Sequence, residues 1–264
     1  MARVRKPIRS EMAWSTPERI VVKGLDLPSE ILGHLSLGDM AWLEIKGTRP
    51  TPAESAVFNA LLCTLVEHGV TPFALVTRLT YLGAPESLQA AVAAGLCGLG
   101  STFAGTAEGA ARMLQGVLGT RQEPRPVPDL AEAARAVVRD FRERKASIPG
   151  IGHPLHKPVD PRTPRLFEIA RAHGLAGRYV ELMQRIQEEA ERGAGRVLPL
   201  NATGAMGAML CELDIDWRLA RGIAVIGRAV GLVGHIAEEL RNPIAREIWE
   251  RVEEEAGEHL RPGG

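Results

Sequence analysis

The chain has 264 residues, 45% of them hydrophobic, with Lys plus Arg and Asp plus Glu balanced at 32 each. That apolar share suffices for one large core or two modest ones and excludes a disordered chain. A formal net charge of zero leaves no long-range field toward nucleic acid or an acidic membrane, so neither is expected as a partner and any anion must be bound locally.

In chain order, Met1 to Ser10 carry Arg3, Arg5, Lys6 and Arg9 with no apolar run behind them, so no secretory leader is expected. Arg19 to Val22 and Trp42 to Ile45 are the short β-branched or aromatic candidates for strands, pairing as an N-terminal ribbon. Thr51-Pro52-Ala53-Glu54 offers a capping box with proline at the first helical position; Val57, Leu61 and Leu65 recur at helical spacing until Gly69, which delivers His68 at the helix end. Ala-rich helical segments follow at Leu88 to Leu99 and Ala104 to Leu118. The Pro-rich, charged Gln122 to Asp129 reads as a boundary or an exposed crossover. Asp129 with Glu132 starts a further helix, Thr163-Pro164 one that ends near Gly174, and Asn242-Pro243 one that ends near Gly257. The longest apolar stretch, Leu219 to Leu240, holds Arg221, Arg228 and His235, which argues against a membrane span. Its glycines 222, 227, 231 and 234 read as permitting close helix packing. Cys63, Cys97 and Cys211 form no Cys-x-x-Cys pair and read as small buried hydrophobes in a reducing, cytoplasmic setting. No fixed-period repeat appears, and the chain is expected to be almost wholly α-helical.

The chemistry concentrates in Ile148-Pro149-Gly150-Ile151-Gly152-His153, followed by Lys157 and Asp160-Pro161-Arg162. Proline and two glycines fix a tight loop that presents an imidazole beside two cations, a pattern suited to acid/base work on an anion. His68 alone reads as a histidine bonding the last carbonyls of its own helix. No histidine pair with a carboxylate stands at metal-ligand spacing, so no metal is expected.

The order of motifs is similar to the citrate synthase superfamily, and within it to the short citryl-CoA lyase branch, which includes the C-terminal module of ATP-citrate lyase. The resemblance runs from Arg5-Lys6-Pro7 through Glu67-His68-Gly69 and Phe103-Ala104-Gly105 to Gly150-Ile151-Gly152-His153. It continues with Asn201-Ala202-Thr203-Gly204 and with Gly227-Arg228-Ala229-Val230-Gly231 before Gly234-His235.

The resemblance implies an all-α citrate synthase-like fold with a short N-terminal β-ribbon. Its large lobe would be formed by about residues 1–128 and 217–264, its small lobe by about 129–216, with a cleft between them and a homodimer as the assembly. It implies coenzyme A as the thioester carrier, a carboxylate partner molecule, and the making or breaking of a carbon-carbon bond beside the thioester. His68 would donate to the thioester oxygen as the enolate forms, and His153 would exchange a proton with the hydroxyl or carbonyl of the other fragment. Arg162 and Arg228 would grip carboxylates, with Arg165 in reserve for Arg162, and Phe103 would line the substrate site. Lys157 with the Gly150 to Gly152 amides would hold CoA phosphate, and His235 could line the cleft, while His156 and His173 read as surface residues.

The chain departs from the family at Thr203, where the family carries its catalytic aspartate, since a threonine hydroxyl is no carboxylate base. Thr203 positioning a water, an acid such as Glu67, Asp214 or Asp216 reaching the site, or a different substrate would each answer this. Cleavage is expected to suffer less than condensation. Pro154 stands where the lyase branch often has arginine, which suggests a substrate with fewer acid groups than citrate. The alternative function is a non-catalytic homologue that binds CoA or an acyl-CoA.

Overall fold

A computed structural model describes residues 8–126 and 128–260. The Arg5-Lys6-Pro7 motif and the cations before it lie outside the described residues. The chain divides into two compact units at Asn59/Ala60.

The first unit opens with a three-stranded antiparallel sheet of β1 (Ala13–Ser15), β2 (Ile20–Val22) and β3 (Leu25–Asp26), in that order. Val22 faces Leu25 across Lys23 and Gly24, both at positive φ, the two-residue turn whose twist suits a hairpin. The second strand expected of this ribbon, Trp42 to Ile45, is instead helical, within α1 (Leu37–Lys46). The reason is local: Ser36 and Asp39 form a reciprocal capping box and Gly47 closes the helix in the left-handed region, so end signals override the β-favouring residues between them. Trp42 and Leu43 are buried, and the Trp42 ring stands edge-on to Phe58 at 5.4 Å. Helix α2 (Pro52–Val66) starts as its sequence indicates, with Thr51 and Glu54 each bonded to the other's amide.

The second unit is helical. It comprises the rest of α2, then α3 (Pro72–Gly83), α4 (Leu88–Cys97), α5 (Ser101–Leu118), α6 (Leu130–Glu143), α7 (Arg162–Ala172), α8 (Arg178–Ala194), α9 (Ala202–Glu212), α10 (Ala220–Glu239) and α11 (Ala245–Gly257). Between α5 and α6 the segment from Arg121 to Pro126 is exposed. The core of this unit packs α5 against α9 and α6 against α8, with Leu114, Leu182, Met183, Ile186, Met206, Met209 and Leu210 fully buried. Residues 217–239 are long and apolar enough to cross a membrane, but half of that window is buried in the fold, including Arg228, His235 and Glu239.

Two start signals are used differently from the sequence reading. Helix α7 begins at Arg162 because the Asp160 carboxylate accepts its amide; Thr163 instead donates its hydroxyl to Leu200 O. Helix α11 begins at Ala245, where Glu239 from α10 accepts the amides of Ile244 and Ala245. Of the cysteines only Cys211 is buried. Cys63 and Cys97 are exposed, since they fall off the buried faces of α2 and α4.

Candidate active site

One cavity of about 700 Å³ in the second unit brings together His68, Phe103, Gly150, Gly152, His153, Arg162, Thr203 and Arg228. Lys157 is exposed and does not line it. Four helices turn their N-terminal ends to this space, through Thr71 and Phe73 for α3, Ser101 to Phe103 for α5, Arg162 for α7, and Asn201 with Thr203 for α9. Each end carries partial positive charge, which adds to the two arginines of the lining in favouring an anion.

The loop before His153 is stitched to the segment before α9. Gly152 donates to Pro199 O at 2.7 Å, Asn201 N to Gly150 O at 2.9 Å, and Asn201 Nδ2 to Gly152 O at 2.7 Å. Gly150 has φ +88°, and a Cβ there would lie 2.4 Å from the Gly204 Cα, so the two backbones touch as no larger residue would allow. This contact sets the register of His153 against Thr203. It also uses the amides expected to hold phosphate, since Ile151 N bonds to Ile148 O and Gly152 N to Pro199 O.

His153 Nδ1 accepts the amides of Leu155 (3.1 Å) and His156 (2.9 Å), so the proton of the neutral ring sits on Nε2. Burial holds its pKa below the ordinary imidazole value, helped by His156, Arg162 and His68 and opposed by Asp160. His156, expected at the surface, is partly buried and stacks on the His153 ring at 4.4 Å.

Beneath the loop, Asp160 is fully buried and holds Arg162 through Nε (3.0 Å) and Nη2 (2.8 Å) while also accepting the amide of Ala202. Burial opposes its charge, but these bonds prevail and lower its pKa to about 2. These bonds engage Nε and Nη2 of Arg162, and Nη1 makes no hydrogen bond among the described residues. Arg165 pairs with Glu168 on the exposed side of α7 and does not line the cavity. Arg228 is buried, stacks its guanidinium 4.6 Å above the Phe73 ring, and has Nη1 buried with no hydrogen-bond partner among the described residues. Phe103 is half exposed and meets Phe73 edge-on at 5.6 Å.

Thr203 donates its hydroxyl to Asn201 Oδ1 at 2.6 Å, which leaves its oxygen only acceptor capacity. Among the described residues lining the cavity there is no Asp or Glu. Glu67 turns to the amides of His68 and Gly69 and to His235. Asp214 and Asp216 follow the far end of α9, whose last residue, Glu212, stands about 14 Å along the helix axis from Thr203 at about 1.5 Å per residue. Neither is the missing acid. His235 lies behind Glu67 and does not line the cavity. Ser101, Thr102 and Thr71 were missed by the sequence reading. Their only signal was small hydroxyl residues at a helix start.

The family model for the citrate synthase C-terminal domain matches residues 26–249, and the chain belongs to the citrate synthase family. Within that family, its structure is similar to that of citryl-CoA lyase from Hydrogenobacter thermophilus, with 33% identity, a TM-score of 0.79, and coverage of 90% of this chain and 88% of that one. In sequence, the chain is 23% identical over 258 residues to a probable ATP-citrate synthase of Dictyostelium discoideum, covering 91% of itself and 40% of that protein. It is 25% identical over 224 residues to citrate synthase 2 of Bacillus subtilis (strain 168), covering 83% of itself and 56% of that protein. The chain thus spans only part of these curated relatives. ATP citrate lyase of Methanothrix soehngenii, solved with citrate and coenzyme A, shares the fold at a TM-score of 0.72 and 21% identity.

Proposed function

We propose that the protein is a CoA-thioester carbon-carbon lyase that cleaves a citryl-CoA-like 3-hydroxyacyl-CoA. The observation that carries this reading is the meeting of His68 and His153 in one cavity that also holds Arg228, whose buried Nη1 has no hydrogen-bond partner among the described residues. Likeness to citryl-CoA lyase along nearly its whole length supports it. The cavity draws residues from both segments expected as lobes, with His68, Phe103 and Arg228 from one and His153, Arg162 and Thr203 from the other.

In cleavage the bond between the α-carbon and the carbinol carbon breaks and its electron pair enters the thioester enolate. His68 donates to the thioester oxygen, where that charge develops. His153 donates Nε2–H to the carbinol oxygen as it becomes a carbonyl. The two amides on Nδ1 disfavour the tautomer that would let His153 take the hydroxyl proton itself. That proton passes to water, for which the Thr203 oxygen is an acceptor, and water protonates the enolate carbon. Arg228 and the free Nη1 of Arg162 hold the carboxylate of the departing fragment.

Absence of a carboxylate slows both directions by the same factor, because cleavage and condensation cross the same transition state and their ratio is fixed by the reaction equilibrium. Condensation therefore suffers no more than cleavage. One observation favours a second reading, a thioester binder without turnover: no Asp or Glu lines the cavity among the described residues. Incubation with citryl-CoA and a panel of 3-hydroxyacyl-CoA thioesters, with products followed by mass spectrometry, separates the two. Release of acyl-CoA supports the lyase, and binding of CoA without cleavage of any thioester supports the binder.

A further inference from the structure

His68 sits two residues beyond the end of α2 on an exposed turn, yet a donor to an enolate oxygen must be held to a fraction of an ångström. The turn is held by Glu67, whose Oε1 accepts the amides of His68 (2.8 Å) and Gly69 (2.6 Å). Burial opposes the charge of Glu67, but those two amides together with His235 outweigh it and keep the pKa below the ordinary carboxylate value. Glu67 is bonded in turn by Nε2 of His235, 3.2 Å away, from the buried face of α10.

His235 Nδ1 accepts Nε–H of Arg78 at 3.1 Å, which places the proton of the neutral ring on Nε2, facing Glu67. Arg78 is fully buried in α3 and spends Nη1 on Glu239 at 2.5 Å and Nη2 on Glu238. Glu239 uses its other oxygen on the first amides of α11. An unbroken chain of hydrogen bonds therefore runs from the start of α11 through Glu239, Arg78, His235 and Glu67 to the His68 turn. The two carboxylates more than balance the charge of Arg78, so charge balance does not require the histidine. His235 is the member that carries the chain to the site. A separate feature presses on the same turn: α10 approaches the end of α2 so closely that a Cβ on Gly231 would lie 1.8 Å from Val66 O.

We propose that Arg78 and His235 are positioning residues that act through Glu67 to fix the turn carrying His68. The kinetic consequence rests on the lyase reading; the structural one does not. The test uses the full chain with His235→Leu, which removes both ring bonds, and His235→Gln, whose amide can accept from Arg78 and donate to Glu67.

Amide hydrogen exchange at residues 68 and 69, read by NMR without ligand, is expected to quicken about tenfold in H235L while core amides of α5 keep wild-type rates. With the thioester that the wild type cleaves, kcat is expected to fall about 10- to 100-fold with KM nearly unchanged, and H235Q to restore most of both. A folded H235L with wild-type exchange at both amides and wild-type kcat overturns the proposal. If H235L does not fold, His235→Asn takes its place, since its shorter amide cannot span from Arg78 to Glu67, with the same two outcomes. If the wild type cleaves no thioester, the lyase reading fails and the exchange rates alone decide the relay.

Discussion

Arg228→Met separates a residue kept for a ligand from one kept for the fold. In the free protein Arg228 is 7% exposed and its Nη1 has no partner, while burial pulls its pKa down against the nearby charge of Glu67. An unsatisfied buried donor costs about 1–3 kcal/mol, and the stacking on Phe73 returns about 0.5–2 kcal/mol. Methionine fills much of the same volume without the charge. The balance predicts a gain near 1 kcal/mol, roughly 2–4 °C in the Tm of the ligand-free protein. With a carboxylate-bearing ligand the sign reverses: loss of charged hydrogen bonds worth about 1.5–3 kcal/mol weakens binding or kcat/KM about 10- to 150-fold. Calorimetric melting without ligand, with citrate titration and thioester kinetics alongside, reads both effects. An R228M protein that melts several degrees below the wild type and keeps its affinity would refute the reasoning.

Thr203→Asp should raise cleavage and condensation by one common factor of about 10²-fold, the lower end of general acid/base catalysis, because the new carboxylate must displace Asn201 Oδ1; assays in both directions that change by different factors contradict this. His153 binds its proton less readily in the fold than in the unfolded chain, so its contribution to stability is complete above pH 6.5 and is lost as pH falls toward the folded pKa. His156→Ala removes one influence that lowers that pKa, and an NMR titration should show His153 protonating at higher pH than in the wild type. Gly231→Ala should cost about 1–3 kcal/mol or more through the clash with Val66 O, whereas Gly234→Ala, with open space around it, should melt at or above the wild-type temperature. Thermal melts of the pair check both signs.

Local signals carried much of this fold into view. The Thr51/Glu54 capping box and the Asp129 cap can be read directly because neighbours in sequence make the contacts. One misread element turns on end signals that flank it, the other on a side chain of the preceding helix. Trp42 to Ile45 looks like a strand until Ser36 and Gly47 are seen to bound a helix, and the start of α11 is set by Glu239 rather than by Asn242-Pro243. At the site, motif order brought His68, His153, Arg162, Thr203 and Arg228 together, while Lys157 fell outside because its loop turns it to solvent. The convergence of four helix ends, the tautomer of His153 and the Arg78-His235-Glu67 chain lay beyond the sequence. The helix-end convergence and the Arg78-His235-Glu67 chain depend on atoms separated by many residues, and the His153 tautomer turns on the direction of two neighbouring amides, which no spacing rule encodes.

The claim that two imidazoles work on one thioester is tested most directly by single-turnover kinetics of the wild type, His68→Ala, His153→Ala and the double variant on the hydroxyacyl-CoA that the wild type cleaves. Groups serving one transition state are expected to be non-additive, with each single variant slowed about 10²- to 10⁴-fold and the double variant hardly slower than the worse single. Turnover at the wild-type rate in either single variant, with CoA still bound, would contradict the account.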